Sequence, residues 1–257
     1  MPSLNELEKA PRRAMHVFYV LDTSGSMQGA PIAQLNRAME ETVDTLKDVA
    51  KSNADAELKI AVLEFSTGCR WIQPKGPEDV EDFVWEDLTA GGLTEVGCAL
   101  KELDSKMSRN AFLSSMTGSY LPLIIFMTDG FATDDYKKQL ENIRQNKWFA
   151  RATKIGFAIG DNADLNMIAD VVGNGEAVVK TNDLEVFSKM IKFASVTASM
   201  LNSTSRTTNE GASGADVIKA ALDDGTITKN NVATDAGTMP EPPVIPSADD
   251  DVDTEWL

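Results

Sequence analysis

Four runs of consecutive apolar residues punctuate the chain: Val17-Phe18-Tyr19-Val20-Leu21, Ile60-Ala61-Val62-Leu63, Leu123-Ile124-Ile125-Phe126-Met127 and Ile155-Gly156-Phe157-Ala158-Ile159. Each is continuous rather than alternating, which predicts strands covered on both faces. A weaker run, Ala177-Val178-Val179, reads as a further edge strand, and Cys69-Arg70-Trp71-Ile72 as a hairpin partner of the Ile60 strand. Between the runs the period changes. Ile32, Leu35, Met39, Val43 and Leu46 recur at steps of three and four, the signature of an amphipathic helix, with Pro31 at its first helical position. A second helix is expected after Thr94, carrying Val96, Leu100 and Leu103. Others are expected over 136–146 and 164–171. A last one opens at Asn182 with Glu185 as an Asn-type capping box and carries Phe187, Met190, Ile191 and Ala194.

Strands alternating with helices predict an α/β fold: a mostly parallel central sheet with helices on both faces. Ligands of such sheets lie beyond the carboxyl ends of the strands. Three polar clusters fall there. They are Asp22-Thr23-Ser24-Gly25-Ser26 after the first strand, Ala90-Gly91-Gly92-Leu93-Thr94 before the second helix, and Thr128-Asp129-Gly130 after the Leu123 strand. Asp22, Ser24, Ser26, Thr94 and Asp129 together offer two carboxylates and three hydroxyls. Hard oxygen donors of this kind suit Mg²⁺ or Mn²⁺ and do not suit Zn²⁺ or Cu⁺. Residues 22, 24 and 26 can point the same way in an extended turn, and Gly25 lets that turn bend. Mg²⁺ keeps waters at open positions, so an Asp or Glu from a protein partner could fill one.

These residues carry a family resemblance. Asp22-x-Ser24-x-Ser26, then Thr94, then Asp129-Gly130, resembles the metal-ion-dependent adhesion site of von Willebrand factor type A (vWA) domains, and Thr94-Glu95-Val96-Gly97-Cys98-Ala99-Leu100 is similar to that family's T-x-x-G-x-A-L stretch. The resemblance covers about residues 14–201. It implies a Rossmann-like vWA fold, with the two Ser and the Thr touching the ion and the two Asp holding it, often through water. Within the family, Gly160-Asp161-Asn162-Ala163-Asp164-Leu165 and the final helix, Phe187 to Ser199, look like the bacterial intracellular branch associated with tellurite resistance. That likeness implies a cytoplasmic signalling partner, a Ser/Thr kinase or a PP2C-type phosphatase.

Composition narrows the alternatives. The net charge of −16 opposes nucleic-acid binding. No apolar run approaches the roughly 18 residues that span a bilayer, and the N-terminus has no basic-then-apolar pattern of a secretory signal. Two cysteines, Cys69 and Cys98, exclude a disulfide scaffold and fit a reducing compartment. The single histidine, His16, argues against a His-based triad or metal site. It is expected to be half-buried with its polar atoms satisfied. Cys98, near a helix start without a His partner, is expected to pack as a small residue. Asp164 is expected to cap a helix and Asp161 to sit in a turn rather than on the crevice rim. Asp134 and Asp135 are expected as loop and helix-start charges. Trp71 and Trp85 fit either the core or the crevice border.

The domain limits read as an N-terminal segment 1–13, a vWA domain 14–203 and an acidic tail 204–257. From Thr207 onward 11 acidic and 2 basic residues give −9, leaving −7 on the rest. A short helix over 214–222 fits within the tail, which then turns Pro-rich and ends in Asp249-Asp250-Asp251-Val252-Asp253-Thr254-Glu255-Trp256-Leu257. Such a composition predicts a low-order segment. Plain solvation, docking onto a partner and ligation of a metal in this or another copy all fit it. For the whole protein, the site predicts a non-enzymatic, metal-dependent interaction module, an adaptor or scaffold. A Mg²⁺-dependent phosphatase of haloacid-dehalogenase type also places an Asp after its first strand. It needs a second carboxylate two residues on as proton donor, and here that position is Ser24. A metal-free structural subunit is the third alternative.

Overall fold

The computed structural model describes residues 12–53, 56–115, 118–173, 178–181 and Lys189. The expected last helix and the whole tail, including 214–222, lie outside the described residues. Strand β1 (Arg13–Asp22) leads through a single 3-10 turn (Gly25–Met27) into helix α1 (Ala30–Ser52) and strand β2 (Ala56–Ser66). Two short strands follow, β3 (Gly68–Trp71) and β4 (Glu78–Asp79), and a long loop reaches α2 (Val96–Lys106). The remainder runs β5 (Leu123–Thr128), α3 (Tyr136–Ile143), α4 (Lys147–Arg151), β6 (Thr153–Ile159), α5 (Leu165–Val172) and β7 (Val178–Thr181).

The strand order is β3-β2-β1-β5-β6-β7, with β4 also on β2. Strands β2, β1, β5, β6 and β7 pair in parallel, while β3 and β4 pair with β2 antiparallel. The expected hairpin partner and edge strand are therefore both present. Central position explains the unbroken apolar run of β1. Its odd residues Met15, Val17, Tyr19 and Leu21 pack in one core with Leu35, Met39, Val43 and Leu46 of α1. Its even residues Phe18 and Val20 pack in a second core with Val96, Leu100 and Leu103 of α2 and Met167 and Ile168 of α5. No side of the strand is left for water, so alternation has nothing to report. Among the described residues, no helix is long and apolar enough to cross a membrane.

Three local expectations are corrected. Pro31 is the second residue of α1, not the first. The helix expected over 136–146 ends at Ile143, because Asn146 opens the next one: its side chain accepts hydrogen bonds from the backbone of Trp148 and Phe149. His16 is fully buried at 1% exposure, and neither ring nitrogen has a hydrogen-bond partner among the described residues. Its ring stacks 6.3 Å from Phe18. Burial, reinforced by the positive charge of Lys59, pulls its pKa down to about 4.

Candidate functional site

Helices α1 and α2 leave the sheet on opposite sides, so the carboxyl ends of β1 and β5 form a topological switch point, where such sheets bind ligands. Asp22 ends β1, and Asp129 follows Thr128 at the end of β5. The parallel register brings Leu21 beside Met127, which sets Asp22 next to Thr128 one step on. Thr128 Oγ1 donates to Asp22 Oδ2 at 2.5 Å, and Asp22 Oδ1 accepts the backbone N–H of Ser24 at 2.7 Å. Asp22 is thus held at the floor of the site with no exposure.

The hydroxyls rise from that floor. Ser24 Oγ lies 3.0 Å from Ser26 Oγ, and Ser26 Oγ donates to Asp129 Oδ1 at 2.6 Å, joining the β1 and β5 loops. Thr94 converges on the same place. A Cβ added to Gly130 would stand 3.7 Å from Ser26 Oγ and 3.9 Å from Thr94 Oγ1. The structure therefore brings all five sequence-derived residues together. Asp22, Ser24 and Thr94 are buried, Asp129 is half-buried and Ser26 is exposed, so the cluster opens outward through Ser26 and Asp129.

Backbone bonds fix the three loops against one another. Gly25 N donates to Gly92 O at 3.0 Å, Gly91 N to Thr23 O at 2.8 Å and Glu95 N to Ser66 O at 3.0 Å. Gly92 carries φ +85°, and a Cβ there would lie 2.6 Å from Thr67 Oγ1, so glycine is required on both counts. On the other side, Thr133 N donates to Thr94 O at 2.9 Å and Thr94 N to Thr133 Oγ1 at 3.1 Å. Asp134 completes this clasp. Its Oδ1 accepts Gly97 N at 3.0 Å and its Oδ2 accepts Cys98 N at 3.1 Å. Asp134 lies in a loop and serves a helix start as expected, but that helix is α2, reached across the sheet end, and not its own neighbour α3.

Thr128 and Thr133 are supporting residues to which the sequence alone assigns no role. Only the direct adjacency of Thr128 to Asp129 hinted at one. Asp164 caps α5 as expected, accepting from Asn166 N and Met167 N, and its own N–H bonds Gly130 O. Asp161 departs from expectation. With Gly160, Asn162, Ala30, Pro31 and Ile159 it lines a cleft of about 250 Å³ beside Asp129, and it pairs with Lys180 at 3.1 Å. Trp71 belongs to the core. Trp85 packs half-buried against the α1 side.

Electrostatics favour a cation. Burial raises the Asp22 carboxyl above its ordinary range, and three hydrogen bonds from Thr128 and Ser24 only oppose this. Burial also raises Asp129. Among the described residues, the groups acting most on these carboxylates are hydroxyls, backbone N–H groups and the neighbouring carboxylate, not a lysine or arginine. Two desolvated carboxylates without a counter-charge are costly, and a divalent ion offsets that cost. Among the described residues, no cluster of three or more His, Cys, Asp or Glu is arranged to hold a metal. The ligand set here depends on its hydroxyls, so the residues present fit a hard, oxygen-seeking ion.

Comparison with known proteins agrees with this fold. A family model described as von Willebrand factor type A domain matches residues 16–192. No curated protein matches the chain in sequence. Among solved structures, the chain resembles a von Willebrand factor type A protein from Catenulispora acidiphila at 17% identity and TM-score 0.54, over 74% of this chain and 43% of that one. It resembles proximal thread matrix protein 1 from the mussel byssus, in a form with a zinc-occupied MIDAS motif, at 18% identity and TM-score 0.53, over 71% and 47%. It also resembles the ArnB paralog VWA2 from Sulfolobus acidocaldarius at 16% identity and TM-score 0.54, over 72% and 46%. The chain thus spans less than half the length of these structures, and at these identities the likeness speaks for the fold.

Proposed function

Since the chain belongs to the von Willebrand factor type A domain family, we propose that it is a non-enzymatic interaction module whose metal site takes a carboxylate from a protein partner. The observation that carries this reading is the convergence of Asp22, Ser24, Ser26, Thr94 and Asp129 at one sheet end, open to solvent through Ser26 and Asp129. Ser24, Ser26 and Thr94 would touch the ion, while Asp22 and Asp129 would balance its charge. A bound divalent ion supplies a Lewis-acidic position that a partner's Asp or Glu can complete. Neutral hydroxyl ligands leave that position strongly electrophilic, because less charge reaches the ion directly.

The chain's own residues do the rest. Thr128 and the Ser24 N–H orient Asp22, and the Thr133–Asp134 clasp holds Thr94 in place. Leu93 and Phe131, at 53% and 61% exposure, flank Thr94 and Gly130 and offer apolar contact to whatever carries the acid. Mg²⁺ or Mn²⁺ is the proposed ion on the hardness of the donors. The zinc named for the mussel protein makes Zn²⁺ the proper competitor in a titration. The finer reading is a cytoplasmic adaptor of the tellurite-resistance-associated branch, acting beside a Ser/Thr kinase or PP2C-type phosphatase. Its support is the resemblance in 160–165 and Phe187–Ser199.

The test is calorimetric titration of Mg²⁺, Mn²⁺ and Zn²⁺ into the full chain and its Asp22→Asn and Ser26→Ala variants, followed by capture of partners from the native cell with Mg²⁺ or with EDTA. Binding lost in Asp22→Asn, weakened about tenfold or more in Ser26→Ala, and a partner released by EDTA are the expected results. A partner held equally in EDTA refutes the metal-dependent clamp.

A further inference from the structure

The two cysteines of the chain lie far apart in sequence and meet in the fold. Cys69 is on β3, and Cys98 is in the first turn of α2. Two hydrogen bonds bracket them: Gly68 N donates to Glu95 Oε2 at 3.0 Å, and Trp71 Nε1 donates to Glu102 Oε1 at 2.9 Å. Glu95, Cys98 and Glu102 stand at i, i+3 and i+7, one stripe along the helix. Cys69 and Trp71 are two apart on a strand and project from the same face. Because Trp71 reaches Glu102, that face is the one turned toward α2. The thiols therefore face each other between the two bracketing bonds, each half-buried and free, and Cys98 acts on Cys69 by hydrogen bonding and charge.

From this geometry we propose that Cys69 and Cys98 are a modification site: they form an intramolecular disulfide when the protein meets a peroxide. Burial first, then Cys98, Glu102 and Glu95, hold the Cys69 thiol up; the reaction begins at whichever of the two sulfurs meets the peroxide as a thiolate. That thiolate attacks one peroxide oxygen, the O–O bond breaks, and a sulfenic acid forms. The departing hydroxide takes up the proton the first thiol had lost and leaves as water. The second cysteine then attacks the oxidised sulfur. The S–S bond forms as the S–O bond breaks, and the second hydroxide leaves as water with the second thiol's proton. The two sulfurs together give two electrons to the peroxide.

The bond would close the loop between β3 and α2. That loop carries Gly91, Gly92 and Thr94, the segment backing the Asp22 turn. Oxidation would therefore restrain one of the three walls of the candidate metal site. The cross-link itself requires no metal, so its test is separate from that of the clamp.

The experiment treats the folded, reduced full chain with hydrogen peroxide, quenches with catalase, and reads intact mass, thiol titre and peptide maps. Expected are a mass loss of about 2 Da, the two hydrogens of a disulfide, a linked Cys69–Cys98 peptide, and full reversal by dithiothreitol. Cys69→Ser and Cys98→Ser should each abolish the linked peptide, and any sulfenic acid formed on the remaining cysteine should be trapped by dimedone rather than resolved within the chain. Wild-type chain whose circular dichroism stays native yet keeps both thiols overturns the proposal. So does loss of the thiols to sulfinic acid or to intermolecular bridges without the linked peptide.

Discussion

Replacing His16 with leucine should stabilise the protein, and should do so more at acid pH than at neutral pH. The imidazole is sealed between β1 and the α2 side of the sheet beside Phe18, with both nitrogens lacking a partner among the described residues. At neutral pH the ring is uncharged in both folded and unfolded chains. There the leucine variant relieves only the buried polar atoms, worth roughly 1–3 kcal/mol before any misfit of shape is subtracted. The pH term is cleaner. The folded pKa of about 4 lies below the unfolded value of 6.5. Between those values the unfolded chain binds a proton that the folded chain refuses, so stability falls as pH drops through that window. At about pH 5 this linkage costs the wild type roughly 2 kcal/mol, and the full window amounts to about 3 kcal/mol. Leucine has no proton to bind, so its advantage over wild type should grow by about 2 kcal/mol between about pH 7.5 and pH 5. Urea unfolding at the two pH values measures it, and other titrating groups cancel in the double difference. An advantage of the same size at both values would show that the ring titrates alike in the folded and unfolded chains, and the account of its burial would be wrong.

Two further outcomes follow from the clasp around Thr94. Asp134→Ala removes the acceptor of two helix-start N–H groups and should cost about 1–2 kcal/mol. Amide exchange should speed up at Gly97 and Cys98 while β5 stays protected; equal exchange in the variant would show that Asp134 does not cap α2. Gly92→Ala forces a side chain into a left-handed conformation against Thr67 and should cost about 1–3 kcal/mol in urea unfolding. An unchanged midpoint would show that the turn adapts without cost.

The β1 and β5 strands were legible because burial on both faces leaves a run such as Leu123–Met127 with no polar break. Asp22, Ser24, Ser26 and Asp129 are legible because side-chain type and strand-end position coincide, and Thr94, just ahead of α2, through the T-x-x-G-x-A-L resemblance. What escaped was everything that depends on partners distant in sequence. Asp134 reads as the start of α3 when only its neighbours are visible, yet α2 is where it bonds. Asn146 looks like the last residue of one amphipathic pattern, and its side chain shows it to be the first of the next. Cys98 appeared unaccompanied because nothing in the spacing places β3 against α2. His16 departs from its sequence reading for another reason: a polar residue at the start of an apolar strand suggests a satisfied partner, and no local signal reveals that both ring nitrogens are left without one among the described residues.

The lateral bonds among the loops bear on how the domain would withstand being pulled. The β1 turn is tied to Gly91 and Gly92, the Thr94 segment to Ser66 and Thr133, and Ser26 to Asp129. A tug exerted through a captured acid would thus spread over β1, β2 and β5 at once, along parallel strands whose ladders resist shear together. Unfastening such a grip means rupturing several strands' attachments in concert, so in the proposed complex a partner's bond to the ion is the link that should yield first under tension.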